Sequence, residues 1–263
     1  MRLSAALAPF LPDTGAVIAL VGGGGKTSAL FRLGQELAAR GRSGALLTTT
    51  TQIRDPRLEE GRDFDQLVLD LDGRQAWPPA PATDDRGPLL VLAAQAVQGK
   101  LQGVTPDRIP GLAEHWRYLL IEADGSRNRP VKAPAPYEPV LPARVDLLLG
   151  VIGLECLGRP MDGHTVHRPE RFAAVSGCAP GEPIRLAHLA ALCQSPQGLF
   201  QGAPAAARRV LLLNKADLCP LEPGQLLGQL GRLGLDRIAI ASLGNSDPEE
   251  AVLAHDGMGS KCV

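Results

Sequence analysis

Aromatic residues, paired cysteines and long apolar runs are what this 263-residue sequence has least of. Aromatic side chains make up only 3% of it, which argues against a surface that stacks nucleic-acid bases. The formal net charge is -1, so no global charge attracts the chain to nucleic acid or to an anionic membrane. No apolar run approaches the roughly 18 residues of a membrane helix. We therefore expect neither nucleic acid nor a membrane as a partner.

The five cysteines are widely spaced, odd in number and free of any C-x-x-C pair. This pattern argues against a disulfide framework and against a thiolate zinc site, and it favours a reducing compartment. The first residues, MRLSAALAPFLP, contain a short apolar stretch that Pro9 and Pro12 interrupt. A signal peptide is therefore not expected. We expect a cytoplasmic protein.

Short apolar runs alternate with helical patterns along the chain. Strands are predicted at residues 17–21, 45–51, 118–121, 146–152, 210–213 and 237–243, and helices at 27–40, 89–97, 186–192 and 221–233. This alternation predicts a P-loop NTPase-like, doubly wound α/β fold with a mostly parallel sheet. We expect a single nucleotide-binding domain over residues 1–263. It should carry an insertion at about 54–116, with one weak strand at 66–69, and a short polar tail at about 250–263.

The run VGGGGKTS follows the first predicted strand and precedes the first predicted helix, which is the context of a phosphate-binding P-loop. Glycine permits positive φ, so backbone N–H groups can face phosphate oxygens, and the helix N-terminus adds its dipole. The loop is shorter than G-x-x-x-x-G-K-[ST], because Leu20 replaces the first glycine. We predict catalysis by Lys26 and Mg²⁺ binding by Thr27. The predicted nucleotide-binding residues here are Gly22, Gly23, Gly24, Gly25, Lys26, Thr27 and Ser28.

Two carboxylates end the third predicted strand, in the sequence IEADGS. Residues two apart in an extended chain face the same side, so Glu122 and Asp124 point together. We predict Glu122 as a Mg²⁺ ligand and Asp124 as a catalytic group that positions water. Thr49, in the threonine run of the second strand, is predicted to order the attacking water. The alternative for Thr49 is plain β-propensity.

The tetrapeptide Asn214-Lys215-Ala216-Asp217 matches the N-K-x-D pattern of guanine-specific P-loop proteins. An aspartate carboxylate can accept hydrogen bonds from guanine N1–H and N2–H₂, whereas adenine has no such donor pair. We predict that Lys215 covers the base, that Asn214 braces the loop and that Ser242 contacts the base. The expected nucleotide is GTP, with ATP as the alternative.

A basic, proline-stiffened loop follows the carboxylates. We assign Arg127 and Arg129 to the nucleotide site and expect them, with Lys132, to clamp an anionic partner; a solvated surface loop is the alternative. His164 and His167 are spaced H-x-x-H without a third ligand nearby. A substrate- or phosphate-facing pair of His167 and Arg168 is therefore favoured over a metal site.

These motifs together resemble the YqeC family, accessory proteins of selenium-dependent molybdenum hydroxylases that are also described as selenium cofactor biosynthesis proteins. The resemblance rests on VGGGGKTS, LLTTTTQI, IEADGSRNRPVKAPAPYEPVLP, GLECLGRP, VHRPERF and RRVLLLNKADL, in that order. Asn128 replaces an expected glycine and Gln52 an expected lysine. The resemblance implies a role in hydroxylase maturation, with a molybdenum hydroxylase or a selenium/molybdenum cofactor intermediate as partner.

The segments IEADG and NKAD also resemble, more distantly, the GTPases that assist nickel insertion into urease and hydrogenase. The nickel-binding Cys/His elements of those proteins are missing from the sequence, so no nickel role follows. We expect a Mg²⁺-dependent, GTP-binding accessory protein that is a slow GTP hydrolase. One alternative is an ATP- or GTP-dependent small-molecule transferase or ligase, since the tight loop also resembles those of ATP-dependent peptide ligases. The other is a nucleotide-gated adaptor without turnover.

Overall fold

The computed structural model describes residues 2–12, 15–40, 44–60, 62–70, 87–244 and 253–256. The helices are α1 (Leu3–Leu7), α2 (Lys26–Ala38), α3 (Ile109–Ala113), α4 (Pro169–Ser176), α5 (Leu186–Gln194) and α6 (Pro223–Leu230). The strands are β1 (Ala16–Gly22), β2 (Ala45–Thr49), β3 (Gln52–Arg54), β4 (Gln66–Leu69), β5 (Leu89–Ala93), β6 (Gln95–Val97), β7 (Lys100–Gln102), β8 (Tyr118–Glu122), β9 (Val131–Lys132), β10 (Leu147–Gly153), β11 (Val166–His167), β12 (Arg208–Asn214), β13 (Arg237–Ile240) and β14 (Leu253–Asp256). Among these described helices, none has the length and apolar character to cross a membrane.

A nine-stranded sheet in the order β14-β13-β12-β10-β1-β8-β2-β5-β4 forms the centre of the molecule. Eight strands run parallel, and β14 joins β13 antiparallel. The predicted α/β fold, a P-loop NTPase-like arrangement with a mostly parallel sheet, is confirmed. Because β1 lies between β10 and β8, the segments that follow these three strands meet at the carboxyl edge of the sheet, where ligands of such sheets bind.

Both faces of the sheet are covered. Ile18 and Leu20 of β1 pack with the apolar stripe of α2, formed by Leu30, Leu33 and Leu37, and all five side chains are fully or almost fully buried. The alternate β1 residues face the other side, where Ala19 and Val21 join the cluster that includes side chains of α4, α5 and α6. Burial on both faces explains why β1 is a continuous apolar run rather than an alternating one.

The helix predicted at residues 89–97 is wrong. The segment forms β5 and β6, with β5 lying between β2 and β4 in the sheet. All five β5 residues are buried, and a strand buried on both faces gives the same unbroken apolar run as a buried helix.

Two segments, one predicted as an insertion and one as a polar tail, contribute strands to the central sheet. The region at about 54–116 supplies β4, as predicted, and also β5, while β3, β6 and β7 form a separate antiparallel sheet. The tail at about 250–263 contains β14, which pairs with β13. Residues 61 and 71–86 of the first region, and 250–252 and 257–263 of the tail, lie outside the described residues.

Candidate functional site

The glycine run after β1 turns the chain sharply into α2. Gly22, Gly24 and Gly25 have φ angles of 99°, 73° and 114°, in the left-handed region that strains other residues. Neighbouring atoms also leave no room for side chains. A Cβ on Gly24 would lie 2.0 Å from the Gly153 nitrogen, and one on Gly25 would lie 2.3 Å from Asn214 Nδ2. The loop is thus packed against the ends of β10 and β12.

The backbone N–H groups of the loop fall into two sets. Those of residues 22–24 donate, at 2.9 to 3.2 Å, to the Asp124 carboxylate and to the Val151 and Arg129 carbonyl oxygens. Those of residues 25–28 have no acceptor in the part of the chain that the structure describes. Unpaired N–H groups at a helix N-terminus bind anions. Residues 22–24 therefore shape the loop, and residues 25–28 leave N–H donors that an anion could accept.

The Lys26 side chain turns back toward Gly22, and it is almost fully buried. Its Nζ donates to the Gly22 carbonyl at 2.6 Å and lies 3.3 Å from Asp124 Oδ1 and 3.8 Å from Glu122 Oε1. These contacts hold a positive charge at the first residue of α2, beside the unpaired N–H groups. An arriving phosphate would compete with the carboxylates for this ammonium.

Thr27 and Glu122 form a pair of oxygen donors next to the same helix end. Thr27 Oγ1 donates to Glu122 Oε2 at 2.8 Å. Burial raises the pKa of Glu122, although Lys26 and the Thr27 hydrogen bond act in the opposite direction. A divalent cation would stabilise the ionised form, and hydroxyl and carboxylate oxygens are ligands that suit Mg²⁺. The two residues predicted to bind the metal therefore fit such an ion.

The Thr49 and Ser28 hydroxyl groups already have protein partners. Thr49 is fully buried, and its Oγ1 donates to the Glu122 carbonyl at 2.7 Å while accepting from the Thr51 N–H at 3.0 Å. Ser28 Oγ accepts from Arg62 Nη2 at 3.1 Å. Thr49 lies beside the predicted metal ligand, but in this arrangement its hydroxyl supports the end of β8 rather than a water molecule.

Asn214 connects the N-K-x-D segment directly to the P-loop. Its Nδ2 donates to the Gly24 carbonyl at 2.8 Å, and its Oδ1 accepts from the Leu243 N–H at 3.0 Å. The side chain is buried, so both ends of the amide are satisfied by backbone. The bracing role predicted for Asn214 corresponds to these two contacts, which join β1, β12 and the segment after β13.

Lys215 adopts a left-handed backbone conformation, with φ of 60°, and its ammonium pairs with Glu155. The other Glu155 oxygen, Oε2, is buried without a hydrogen-bond partner among the described residues. Glu155 belongs to the short 3-10 helix Leu154–Cys156, which follows β10 between the P-loop strand and β12. The ion pair with Glu155 holds the Lys215 side chain in place within the N-K-x-D segment, which is predicted to bind the base.

Asp217 and Ser242 lie together at the end of β12 and beyond β13. The Asp217 N–H donates to Ser242 Oγ at 3.0 Å. The Asp217 side chain is exposed and makes no hydrogen bond or ion pair within the described residues. Its carboxylate is therefore available to a ligand, while its backbone is held in place.

The basic loop after β8 packs on the P-loop through its backbone. The Arg129 carbonyl is the acceptor for Gly24, and the Arg129 N–H donates to the Ser126 carbonyl at 3.0 Å. Arg127 and Asn128 have φ angles of 50° and 59°. Asparagine tolerates this left-handed region better than most residues, which explains how it can replace the glycine expected from the family pattern. The Arg127 side chain is exposed.

A separate group of possible metal ligands, Cys178, Glu182 and His188, has its ligand atoms within 4.8 Å of one another. Its hydrogen bonds do not favour an ion. His188 Nδ1 accepts from the Arg185 N–H at 3.2 Å, so the neutral ring carries its hydrogen on Nε2, the nitrogen that faces Glu182. Glu182 is also paired with the Arg185 guanidinium at 2.9 Å. These contacts explain why the three side chains lie together: they stabilise the turn that leads into α5.

Comparison with known proteins supports the resemblance found in the motifs. A family model described as YqeC protein matches residues 18–170. A protein of Escherichia coli (strain K12) described as "Uncharacterized protein YqeC" is 38% identical over 207 residues, which cover 77% of each chain. The chain belongs to the YqeC family. No solved structure matches it.

The part of the chain matched by the YqeC family model includes the P-loop, both carboxylates and the basic loop, and it ends before Asn214. No motif predicted a role for Glu138 or Glu155, which the structure places in ion pairs with Lys132 and Lys215. Both glutamates lie in stretches quoted for the family resemblance. Neither stretch has a helical or strand periodicity from which a contact could be predicted.

Proposed function

We propose that this chain binds GTP with Mg²⁺, hydrolyses it slowly and assists the maturation of selenium-dependent molybdenum hydroxylases. The observation that carries the nucleotide part is the convergence at one helix end of the unpaired N–H groups of residues 25–28, the Lys26 ammonium and the Thr27–Glu122 pair. Backbone donors and a lysine suit phosphates, and the oxygen pair suits Mg²⁺. Thr27 and Glu122 would hold the metal, which would neutralise charge on the phosphates.

The guanine part of the proposal is supported by the geometry of the N-K-x-D segment. Asn214 is bonded to the P-loop, and the exposed Asp217 is fixed through its backbone to Ser242. A base between these segments could donate its N1–H and N2–H₂ to the Asp217 carboxylate.

The accessory role is supported by membership of the YqeC family together with the state of the thiols. Burial raises the pKa values of Cys156, Cys178 and Cys219, and it raises that of Cys193 to about 12. The thiolate is the reactive form of cysteine, so these four groups are poor nucleophiles at neutral pH. Nucleotide binding is therefore a better-supported contribution of this chain than covalent transfer of selenium by those thiols.

The two carboxylates give a first test of the site. Glu122→Gln should lower Mg²⁺-dependent GTP hydrolysis at least about tenfold. The metal that Glu122 would hold is expected to stabilise charge in the transition state by several kcal/mol. Asp124→Asn should also lower turnover more than GTP affinity. It should in addition lower the melting temperature of the nucleotide-free protein, because Asp124 is paired with the buried Lys26 and Lys132. Steady-state phosphate release and nucleotide titrations measure these effects, and unchanged hydrolysis in both variants would remove the carboxylates from the site.

The cellular role gives a second test. A strain that lacks this protein should make its selenium-dependent molybdenum hydroxylase folded and loaded with molybdenum, but inactive and without labile selenium. Metal and selenium analysis of the purified hydroxylase should be compared among parent, deletion and complemented strains. Complementation with Lys26→Ala should fail, because the accessory step is proposed to need nucleotide. Normal selenium content and activity in the deletion strain would refute the role.

The alternative of a nucleotide-dependent transferase or ligase is favoured by one observation, the cluster of Lys132, His167 and Arg168 that adjoins Asp124 through ion pairs. Such a cluster is placed to receive a second anionic molecule. Product analysis distinguishes the two activities. GDP and phosphate alone support the GTPase, whereas a phosphorylated or nucleotidylated product supports the alternative.

A further inference from the structure

A line of alternating charges leads away from the P-loop. Lys132 Nζ is fully buried and lies 2.9 Å from Asp124 Oδ2 and 2.9 Å from Glu138 Oε2. Glu138 also accepts from Arg168 Nη1 at 2.7 Å. Asp124 and Glu138 are thus each shared between two cations, since Asp124 also pairs with Lys26. At His167 the positive charges of Arg168, Lys132 and Arg127 outweigh the negative charge of Glu138, so an additional anion would be stabilised here.

The small parallel pairing of β9 with β11 fixes this arrangement. His167 is the register partner of Lys132, which places the two side chains on the same side of the pairing. Arg168 follows with a φ of 66°, a left-handed conformation for a non-glycine residue. Such a conformation is strained and persists only when surrounding contacts hold it. Glu138 supplies those contacts, because its two oxygens accept from both terminal nitrogens of Arg168.

His167 is held in its neutral form by its neighbour. Arg168 Nη1 can only donate, so His167 Nε2, at 3.1 Å, must accept and the ring hydrogen lies on Nδ1. Burial lowers the pKa of His167 to about 4, and the charges of Arg168, Lys132 and Arg127 act in the same direction. The ring therefore offers a neutral Nδ1–H donor beside two guanidinium groups.

Tyr137 borders the same cluster and is 74% exposed. The Arg168 guanidinium carbon lies 5.9 Å from the centre of the Tyr137 ring, and Arg168 Nη2 lies 3.5 Å from the hydroxyl. An exposed aromatic ring next to a guanidinium presents a surface on which a planar group can stack. The Nε–H of Arg168 has no hydrogen-bond partner among the described residues, so it can donate to an oxyanion attached to that group.

We propose that Arg127, Tyr137, His167 and Arg168 form a subsite for a second ligand, an oxyanion joined to a planar ring. The ligand binds while the nucleotide occupies the P-loop, and in this respect the subsite rests on the proposed function. Arg127 and Arg168 bind the oxyanion, the His167 Nδ1–H adds a donor, and Tyr137 stacks on the ring. Lys132 is a positioning residue, because it joins the subsite to Asp124 without reaching solvent.

Phenyl phosphate and inorganic phosphate are suitable probes, since they share the oxyanion and differ in the planar ring. Protein saturated with Mg²⁺ and GDP is titrated with each probe by NMR, with ¹⁵N-labelled histidine reporting on His167. Phenyl phosphate should bind about two- to tenfold more tightly than phosphate, the range expected for one aromatic stacking contact. Tyr137→Leu should abolish that difference, and Arg168→Gln should weaken both probes. Bound dianion should also raise the pKa of His167, so its titration moves upward from about 4.

The exposed Arg208 supplies the matched control, because it pairs with Asp236 at the amino end of β12, the opposite edge of the sheet. Arg208→Gln should leave both affinities unchanged. If Arg168→Gln lowers the melting temperature strongly, Tyr137→Leu carries the test, since its side chain is exposed. Failure of the parent to bind either probe, or equal affinity for both probes, overturns the subsite. Stabilisation by Mg²⁺ and GTP is measured separately on the same proteins, so its loss would count against the proposed function and not against the subsite.

Discussion

Lys26→Ala should abolish stabilisation by GTP while leaving a folded protein. A ligand present at about 100 times its dissociation constant adds roughly 2.7 kcal/mol to the free energy of unfolding, and the variant should lose this increment. The Lys26 ammonium is the only side-chain cation within 4 Å of both Glu122 and Asp124 among the described residues. Without it, a triphosphate would meet the Glu122 carboxylate with no cation beside it in the described part of the chain, and Asp124 would be balanced only by Lys132.

The fold should tolerate this change, because Asp124 keeps two other partners. Lys132 pairs with it at 2.9 Å, and the Gly22 N–H donates to it. Thermal unfolding with and without Mg²⁺ and GTP measures the effect. Lys100→Ala, in the small antiparallel sheet, is the matched control because that lysine is exposed. A Lys26→Ala protein that GTP stabilises as much as it does the parent would show that the P-loop assignment is wrong.

The elements that sequence predicted well are those whose pattern follows from local physics. β1 and α2 were predicted at almost their observed bounds, because an apolar run, a glycine turn and a helical stripe succeed one another. The carboxylates were predicted beside the P-loop because β8 ends at Glu122. In a parallel sheet this end lies at the same edge as the end of β1.

β5 shows where local physics is insufficient. Its sequence, LLVLA, is buried on every residue, so no alternation distinguishes a strand from a buried helix. Only the neighbours β2 and β4, which provide its hydrogen bonds, decide the structure. The edge strand β14 was missed for a related reason, because its formation depends on pairing with β13 in the folded sheet rather than on its own pattern.

Within the candidate site, sequence predicted residue types better than contacts. The motifs placed Lys26 in the P-loop and gave Asn214 a bracing role in the N-K-x-D segment. Some N–H groups of the glycine run bond to the protein, and others stay unpaired at the start of α2. Which group does which depends on how the Arg129 and Val151 carbonyls approach the glycines. The ion pair between Lys132 and Glu138 likewise joins residues of an irregular loop, whose path has no periodic signal. These contacts are properties of the folded chain, so the sequence motif alone could not supply them.

Asp217→Asn should exchange a preference for guanine for a preference for xanthine. The parent carboxylate would accept from guanine N1–H and N2–H₂, whereas the asparagine amide offers a donor that matches the 2-oxo group of xanthine. The cost of leaving a polar group unpaired is on the order of 1–3 kcal/mol. The binding free energy of GTP should become less favourable by about that amount, and the affinity for xanthosine triphosphate should rise. The fold should be unaffected, because the side chain is exposed and the backbone N–H keeps its bond to Ser242.

Competition between GTP, ATP and xanthosine triphosphate for a labelled nucleotide, in parent and variant, measures this exchange. Glu114→Gln is the matched control, since it removes an exposed carboxylate at the end of α3, outside the N-K-x-D segment. It should leave the order of preference unchanged. Because Asn214 holds the N-K-x-D segment to the P-loop through Gly24, a nucleotide bound there by its phosphates would be expected to place its base against this segment. A parent protein that prefers ATP would therefore mean that Asp217 does not read the base, and the transferase or ligase alternative would then be the better account.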